Sequence, residues 1–377
     1  LAITLKLIDL EYHHIYIVGK DEPQLQDIPT EYKTLFQAKT SFKKLNLITE
    51  DYNIFRDICD IDTLIITAGF GRVARFDELE DAEISNLIKC NFLGITQIIK
   101  GYYSQIRSHK SFYCAIMGSI AGHLVSPLFP IYGASKAGLC HFIENINAEL
   151  MHDGYQNRIL DISPGSIKGT NFNGQGNNLD IILQLANDIL NRMFAREILY
   201  IPDYDKTYKA VLEKYHNDPI GYGIESYDYK LQSGRSSSKP QLIVGYLSGT
   251  FDLFHIGHLN LLRRAKQECD YLIVGVHASG AWKGKDTYIP FEERKAIVES
   301  IRYVDKVVES YKEDSEAYDA LKFNKLFVGS DYKGTERFRK YEEYFKEKNV
   351  EIIYFPYTMS TSSTQLREAI TKSINKK

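Results

Sequence analysis

Two histidines three residues apart, His255 and His258, stand in GTFDLFHIGH at residues 249–258, directly after an apolar run that reads as a strand. On one helical turn such rings can serve as a pair of metal ligands or as donors to a bound phosphate. A metal shell needs three or four ligands. No Glu lies between the two histidines and no cysteine cluster stands ready to complete the set, so no metal site is expected. The strand, the Gly249-Thr250 turn and a helix carrying LNLLRRAK instead set both rings beside a helix N-terminus, where free N–H groups and the dipole attract phosphate.

A second pair, Tyr132 and Lys136 in IYGASKAG, has the four-residue spacing that brings an ammonium close enough to a phenol to lower its pKa. Spacing alone means little, since Tyr344 and Lys348 repeat it without supporting context. Tyr132 has context. Ser119 lies in IMGSIAG, Asn91 in CNFLG, TAGFG follows DTLII, and PGSIKGT follows RILDIS.

Positioning these groups falls to two α/β units. HHIYIV, DTLIIT, FYCAIM and RILDIS alternate with helix-spaced segments in the first; QLIVGYL, YLIVGV, DKVVES, KLFVG and EIIYFP do so in the second. That rhythm predicts an α/β protein of two doubly wound parallel-sheet, Rossmann-like domains in tandem. LQSGRSSSKP can sustain neither a helix nor a central strand, which gives a first domain over 1–232, a linker over 233–240 and a second domain over 241–377. Each is long enough to bury a core of its own. The tyrosine-rich tract from Tyr200 to Tyr229 reads as helix and loop closing the first domain.

A formal charge of -3 without long single-sign blocks gives no argument for binding nucleic acid or an anionic membrane. The five cysteines are scattered and form no C-x-x-C pair, which fits a reducing cytoplasm rather than a disulfide framework. LAITLKLIDL, interrupted by Lys6 and Asp9, reads as an amphipathic helix, and no membrane insertion is expected.

SGTFDLFHIGHLNLLRRAK resembles the H-x-G-H nucleotidyltransferase signature, specifically that of the cytidylyltransferases that make CDP-glycerol, CDP-choline or CDP-ethanolamine. The resemblance extends through ERKAIVESIRYVDKVV, VGSDYKG and TSST. It implies that His255 and His258 stabilise the transferring phosphates, with Lys283 and Lys285 bracketing the triphosphate and the incoming phosphate. It further implies CTP contacts from Gly249, Thr250, Phe251, Asp252, Arg294, Arg302, Asp331, Thr358, Ser362, Ser363 and Thr364, with Mg2+ accompanying the nucleotide. Relatives commonly carry an arginine before the threonine of the last motif, where this chain has Tyr357 before Thr358; one triphosphate contact is then either missing or supplied by Arg337 or Arg339.

Residues 1 to 230 resemble the short-chain dehydrogenase/reductase family in the motifs around Asn91, Ser119, Tyr132 and Lys136. The resemblance makes Tyr132 the proton donor to a carbonyl, Ser119 its hydrogen-bonding partner, Lys136 the holder of ribose and tyrosine acidity, and Asn91 a relay support. A nicotinamide cofactor would meet Lys20, Ala68, Gly69, Tyr132, Lys136, Pro164 and Gly165, with Lys20 favouring NADP. The family opens with a strand and a glycine-rich turn, whereas this chain starts at Leu1 inside what reads as the following helix and has no glycine before Gly19. Weak or absent NADP(H) binding by this chain is the resulting expectation.

Together the two resemblances imply a bifunctional enzyme: CMP transfer from CTP to a polyol phosphate, glycerol 3-phosphate first, beside reduction of a related keto or aldehyde precursor. A homodimer or higher homo-oligomer is expected. The alternative is a phosphocholine or phosphoethanolamine cytidylyltransferase whose first domain is a scaffold.

Overall fold

The structure is a computed structural model describing residues 1–49, 52–167, 169–170, 178–232, 242–279, 287–356 and 366. It divides into two compact units, Leu1–Pro240 and Gln241–Lys377.

In the first unit, strands and helices alternate as the apolar spacing dictates: α1 (Ala2–Asp9), β1 (Ile15–Gly19), α2 (Lys33–Lys39), β2 (Thr40–Lys44), β3 (Thr63–Ile66), α3 (Asp81–Ile88) and α4 (Gly94–Ile106). There follow β4 (Tyr113–Met117), α5 (Pro130–His152), β5 (Ile159–Ile162), α6 (Leu179–Phe194), β6 (Leu199–Tyr200), α7 (Lys209–Asn217) and α8 (Pro219–Gln232). Every pairing is parallel, in one sheet ordered β3-β4-β5-β6 and a separate pair β1-β2. The larger sheet is covered on both faces. Ile95, Ile99 and Tyr102 of α4 and Leu139 and Ile143 of α5 pack on Cys114, Ile116 and Ile159. Leu7 of α1 and Ile189 and Met193 of α6 pack on Ala115, Leu160 and Ile162. Successive strand residues thus enter opposite cores, and β5 is buried at every position. Asp161 is the polar exception within it. Pro130 starts α5, where its missing N–H costs nothing.

The second unit runs β7 (Val244–Gly249), α9 (Ile256–Gln267), β8 (Tyr271–Val276), α10 (Phe291–Glu299), β9 (Lys306–Glu309), α11 (Asp314–Leu321), β10 (Lys325–Gly329), α12 (Glu336–Lys346) and β11 (Glu351–Phe355). Its strands are parallel in the order β11-β10-β7-β8-β9. From β7 the chain works outward through β8 to β9, then returns to the other side of β7 with β10. Such a reversal opens a crevice at the carboxyl ends of the two strands that flank it. The segments leaving those ends begin at Thr250 and Ser330. Tyr246, Ile273 and Leu326 fill one core while Leu247, Val274 and Phe327 fill the other, the same period-two division as in the first unit.

The α/β architecture with parallel sheets therefore agrees with the sequence reading. Among the described residues, no helix is long and apolar enough to cross a membrane.

Candidate active sites

At the end of β7 the chain turns sharply. A Cβ added at Gly249 would lie 3.0 Å from the Phe251 ring. Phe251 and Leu253 both adopt φ of 51°, left-handed backbone that costs a non-glycine residue roughly 1–2 kcal/mol. The Asp252 carboxylate, 3% exposed, accepts from the backbone N–H groups of Tyr288 and Ile289 at 3.0–3.2 Å, tying this turn to the approach to α10.

His255 caps α9. Its Nδ1 accepts from Gly257 N–H at 3.0 Å, which assigns the proton of the neutral ring to Nε2. His258 stacks on it, with centroids 4.0 Å apart and planes at 26°. Burial, then the neighbouring His255, hold the His258 pKa down to about 4, and burial lowers that of His255 as well. Near neutrality both rings are uncharged N–H donors.

Arg294 departs from expectation. Instead of facing a nucleotide, its guanidinium is fully buried and donates to four backbone carbonyls: Ile289 at 2.9 Å, Thr250 at 2.5 Å, His277 at 2.8 Å and Ala278 at 2.9 Å. A planar fork with several donors suits the gathering of loop carbonyls, and these bonds engage each of its three nitrogens. Arg302 lies over the Tyr303 ring and donates to its hydroxyl at 2.9 Å. Asp331 is exposed in the turn after β10. Arg337 donates to Glu313 at 3.2 Å and to the Tyr341 hydroxyl at 3.1 Å. Lys283, Lys285, Thr358, Ser362, Ser363 and Thr364 lie outside the described residues.

In the first unit, Ser119 follows β4 and caps a short turn, its Oγ accepting from Ala121 N–H at 3.2 Å. Tyr132 sits in the first turn of α5, its phenol pKa raised by burial and partly offset by a hydrogen bond with Ser119. The expected acidification by Lys136 is not among the influences on this phenol, and the Lys136 ammonium donates to Met117 O at 2.7 Å. Burial lowers the Lys136 pKa to about 8.

Asn91, in a π-helical turn between α3 and α4, is fully buried. Its Oδ1 accepts from Phe70 N–H at 3.0 Å, and its Nδ2 donates to Phe70 O at 2.8 Å and to Ser135 Oγ at 3.2 Å. Its side chain therefore clamps the loop after β3. Gly69, at φ 154°, would with a Cβ come within 3.1 Å of Lys136 Nζ and 3.4 Å of Asn91 Oδ1. Gly69, Asn91, Lys136, Tyr132 and Ser119 thus converge, with Ala68 beside them in the chain. Pro164 O accepts from Ile120 N–H at 2.9 Å, joining the end of β5 to the Ser119 turn. At Gly165 an added Cβ would collide with the Tyr208 hydroxyl, so the tyrosine tract packs against the proposed cofactor segment. Lys20 directly follows β1 and is partly exposed.

One constellation escaped the sequence reading. The Nε2 atom of His123 lies 3.5 Å from Asp161 Oδ2 and 2.9 Å from Ser163 Oγ, while Ser163 Oγ donates to Asp161 Oδ1 at 2.8 Å and stands 3.6 Å from Cys140 Sγ. Burial disfavours the His123 cation, yet Asp161 and Cys140 push its pKa up to about 10.

A stacked histidine pair beside a sheet reversal and a Ser-Tyr-Lys-Asn cluster beside a second parallel sheet are the layout of an enzyme in two parts. The chain belongs to the cytidylyltransferase-like family, whose model matches residues 246–369. The model for short chain dehydrogenase matches residues 1–179, so an oxidoreductase unit is joined to the nucleotidyltransferase. The glycerol-3-phosphate cytidylyltransferase of Bacillus subtilis (strain 168) is 39% identical over 126 residues, covering 32% of this chain and 92% of that protein. The ethanolamine-phosphate cytidylyltransferase of Dictyostelium discoideum is 38% identical over 108 residues, 27% of this chain and 30% of that protein. Among solved structures, a short-chain dehydrogenase from Streptomyces avermitilis aligns with a TM-score of 0.47 at 16% identity, covering 62% of this chain and 94% of that one.

Proposed function

We propose that the second unit transfers CMP from CTP to a small polyol phosphate, glycerol 3-phosphate foremost, releasing pyrophosphate. The observation carrying this reading is the neutral, stacked His255–His258 pair at the start of α9, beside the sheet reversal. A phosphate oxygen of the acceptor attacks the α-phosphorus; one P–O bond forms, the bond to the pyrophosphate leaving group breaks, and negative charge grows on the oxygens between them. Neutral imidazole N–H groups held by a helix cap and a ring stack stabilise that charge without reorganising. Asp252 already accepts backbone N–H bonds, so Mg2+ would be held mainly by the triphosphate itself. Lys283 and Lys285 would flank the phosphates. Glycerol 3-phosphate is favoured by the 39% identity across nearly the whole Bacillus subtilis relative. Ethanolamine phosphate is the rival, favoured by the Dictyostelium relative.

The first unit, in the same reading, reduces a keto or aldehyde precursor of the polyol. Tyr132 gives its proton to the carbonyl oxygen, Ser119 holds that oxygen, and Asn91 fixes the loop carrying Gly69. An ammonium has three donors; Met117 O takes one from Lys136, which leaves others for a cofactor ribose. The bare backbone at Gly69 fits such a ribose, and Lys20 fits a 2′-phosphate. NADPH, when bound, supplies the hydride. Cytoplasmic residence is consistent with five free cysteines, and Ile220, Ile224 and Leu231 exposed along α8 favour a homo-oligomer. The CDP-polyol would feed a teichoic-acid or capsule-like polymer.

The test is pyrophosphate release from CTP with glycerol, ribitol, choline and ethanolamine phosphates. Glycerol phosphate should lead, and His255→Ala and His258→Ala should each lower turnover on the order of 10²-fold. Preference for ethanolamine phosphate would transfer the assignment to the rival. NADPH titration of the same protein separates a reductase from a scaffold.

A further inference from the structure

A buried strand that spends one of its four positions on a carboxylate must find that carboxylate a partner. Asp161 Oδ2 is buried and accepts no hydrogen bond among the described residues, although His123 Nε2 stands 3.5 Å away. Cys140 completes the group, and the ligand atoms of His123, Cys140 and Asp161 all lie within 4.8 Å of one another. Glycines let the three side chains pack directly against the backbone. A Cβ at Gly118 would fall 2.3 Å from Asp161 Oδ1, 2.6 Å from Ser163 Oγ and 3.1 Å from Cys140 Sγ, and one at Gly122 would fall 2.8 Å from Cys140 Sγ.

We propose that His123, Cys140 and Asp161 form a zinc site in the protein wall behind Ser119 and Lys136. The donor set selects the ion. One imidazole, one thiolate and one carboxylate suit a borderline-soft divalent metal, whereas calcium and magnesium take oxygen alone. Thiolate and carboxylate together cancel the charge of the dication, so the buried site is neutral once filled. Zinc bonds of about 2.0–2.3 Å set tetrahedral ligand atoms roughly 3.3–3.8 Å apart. The His123–Asp161 separation of 3.5 Å already meets that span.

Ser163 Oγ donates to Asp161 Oδ1 and so turns Oδ2 toward the histidine, the supporting contact that ligating carboxylates usually have. A water entering past His123, whose ring is 17% exposed, takes the fourth position. The three ligands come from three elements. His123 follows the turn that Ser119 caps, Cys140 lies one turn beyond Lys136 on α5, and Asp161 is in β5 just before Pro164. The ion would pin the elements that carry the reductase groups without touching substrate. Binding expels the thiol proton and any proton on the imidazole, so affinity falls with pH.

The full chain, purified without a metal-binding tag, is assayed for zinc by mass spectrometry and then exchanged with cobalt. One equivalent of zinc is expected to survive gel filtration, and the cobalt form should have a near-ultraviolet thiolate charge-transfer band. Cys140→Ser should abolish that band, and His123→Gln and Asp161→Asn should each weaken metal binding at least 10-fold. Cys59→Ser and the double variant His255→Ala/His258→Ala should retain it. An absent band, a band surviving Cys140→Ser, or one lost with His255 and His258 overturns the proposal; in the first case a His123 imidazolium balances Asp161. Should Cys140→Ser fail to fold, zinc-edge X-ray absorption of the unaltered protein decides, since a shell without sulfur refutes the site.

Discussion

The rings of His255 and His258 stack with 4.0 Å between centroids and 26° between planes, so a proton taken up by one places its charge against the face of the other. Burial and this stacking therefore both work against charging His258.

A pH dependence of stability follows. His258 has a folded pKa of about 4 against an ordinary value of 6.5, so below pH 6.5 the unfolded chain binds a proton that the folded unit refuses. Stability is complete above 6.5 and is lost as the pH falls toward 4, by up to about 3 kcal/mol. Urea titrations at pH 7 and pH 4.5 should register this fall, and His258→Gln should reduce it. An unchanged pH response in the variant would assign the effect to other groups.

Arg294→Lys should act on stability first. An ammonium cannot reach all four carbonyls now bound by the guanidinium, and buried acceptors left unpaired cost about 3 kcal/mol or more in total. Thermal melting of the second unit should drop by several degrees. A raised KM for CTP with unchanged melting would instead restore Arg294 to the nucleotide site.

Asn91→Ala removes both bonds to Phe70, the donor and the acceptor at once. The loop carrying Gly69 then loses its anchor beside Lys136. Reductase turnover should fall on the order of 10-fold to 10²-fold, while CMP transfer stays within experimental scatter. Equal losses in both assays would mean that the variant damages the whole chain.

Tyr132→Phe should abolish reduction and spare cytidylyl transfer, because only the first lacks its proton donor. The native reductase should also decline above pH 8: Lys136, with a pKa of about 8, loses its charge as the pH rises through that value. A pH–rate profile with an alkaline limb near 10.5 would detach Lys136 from the rate.

The sequence was most legible where side chains report their own surroundings. YLIVGV and KLFVG became β8 and β10 residue for residue, because strands buried between helices are apolar along most of their length. TSFKK and the two-residue β6 carry no such signature, and β2 is partly exposed along its length. Motifs gave the identity of site residues better than their direction. Arg294 has the type and position of a phosphate ligand, yet its orientation depends on where four loop carbonyls end up. The His123, Cys140 and Asp161 group was unreadable for a different reason: its members are far apart in sequence and meet only when the turn after β4, helix α5 and strand β5 pack together.

Leu253, held with φ at 51° in the turn before His255, sets stability and turnover against each other. Directed evolution for heat resistance alone would be drawn to Leu253→Gly, which relieves the left-handed backbone. The same change frees the segment that delivers His255 to its cap, so the survivors of such a screen would be sturdier and slower. Selection on CTP turnover would run the other way, and the position at which the two screens diverge would mark the loop whose rigidity serves catalysis.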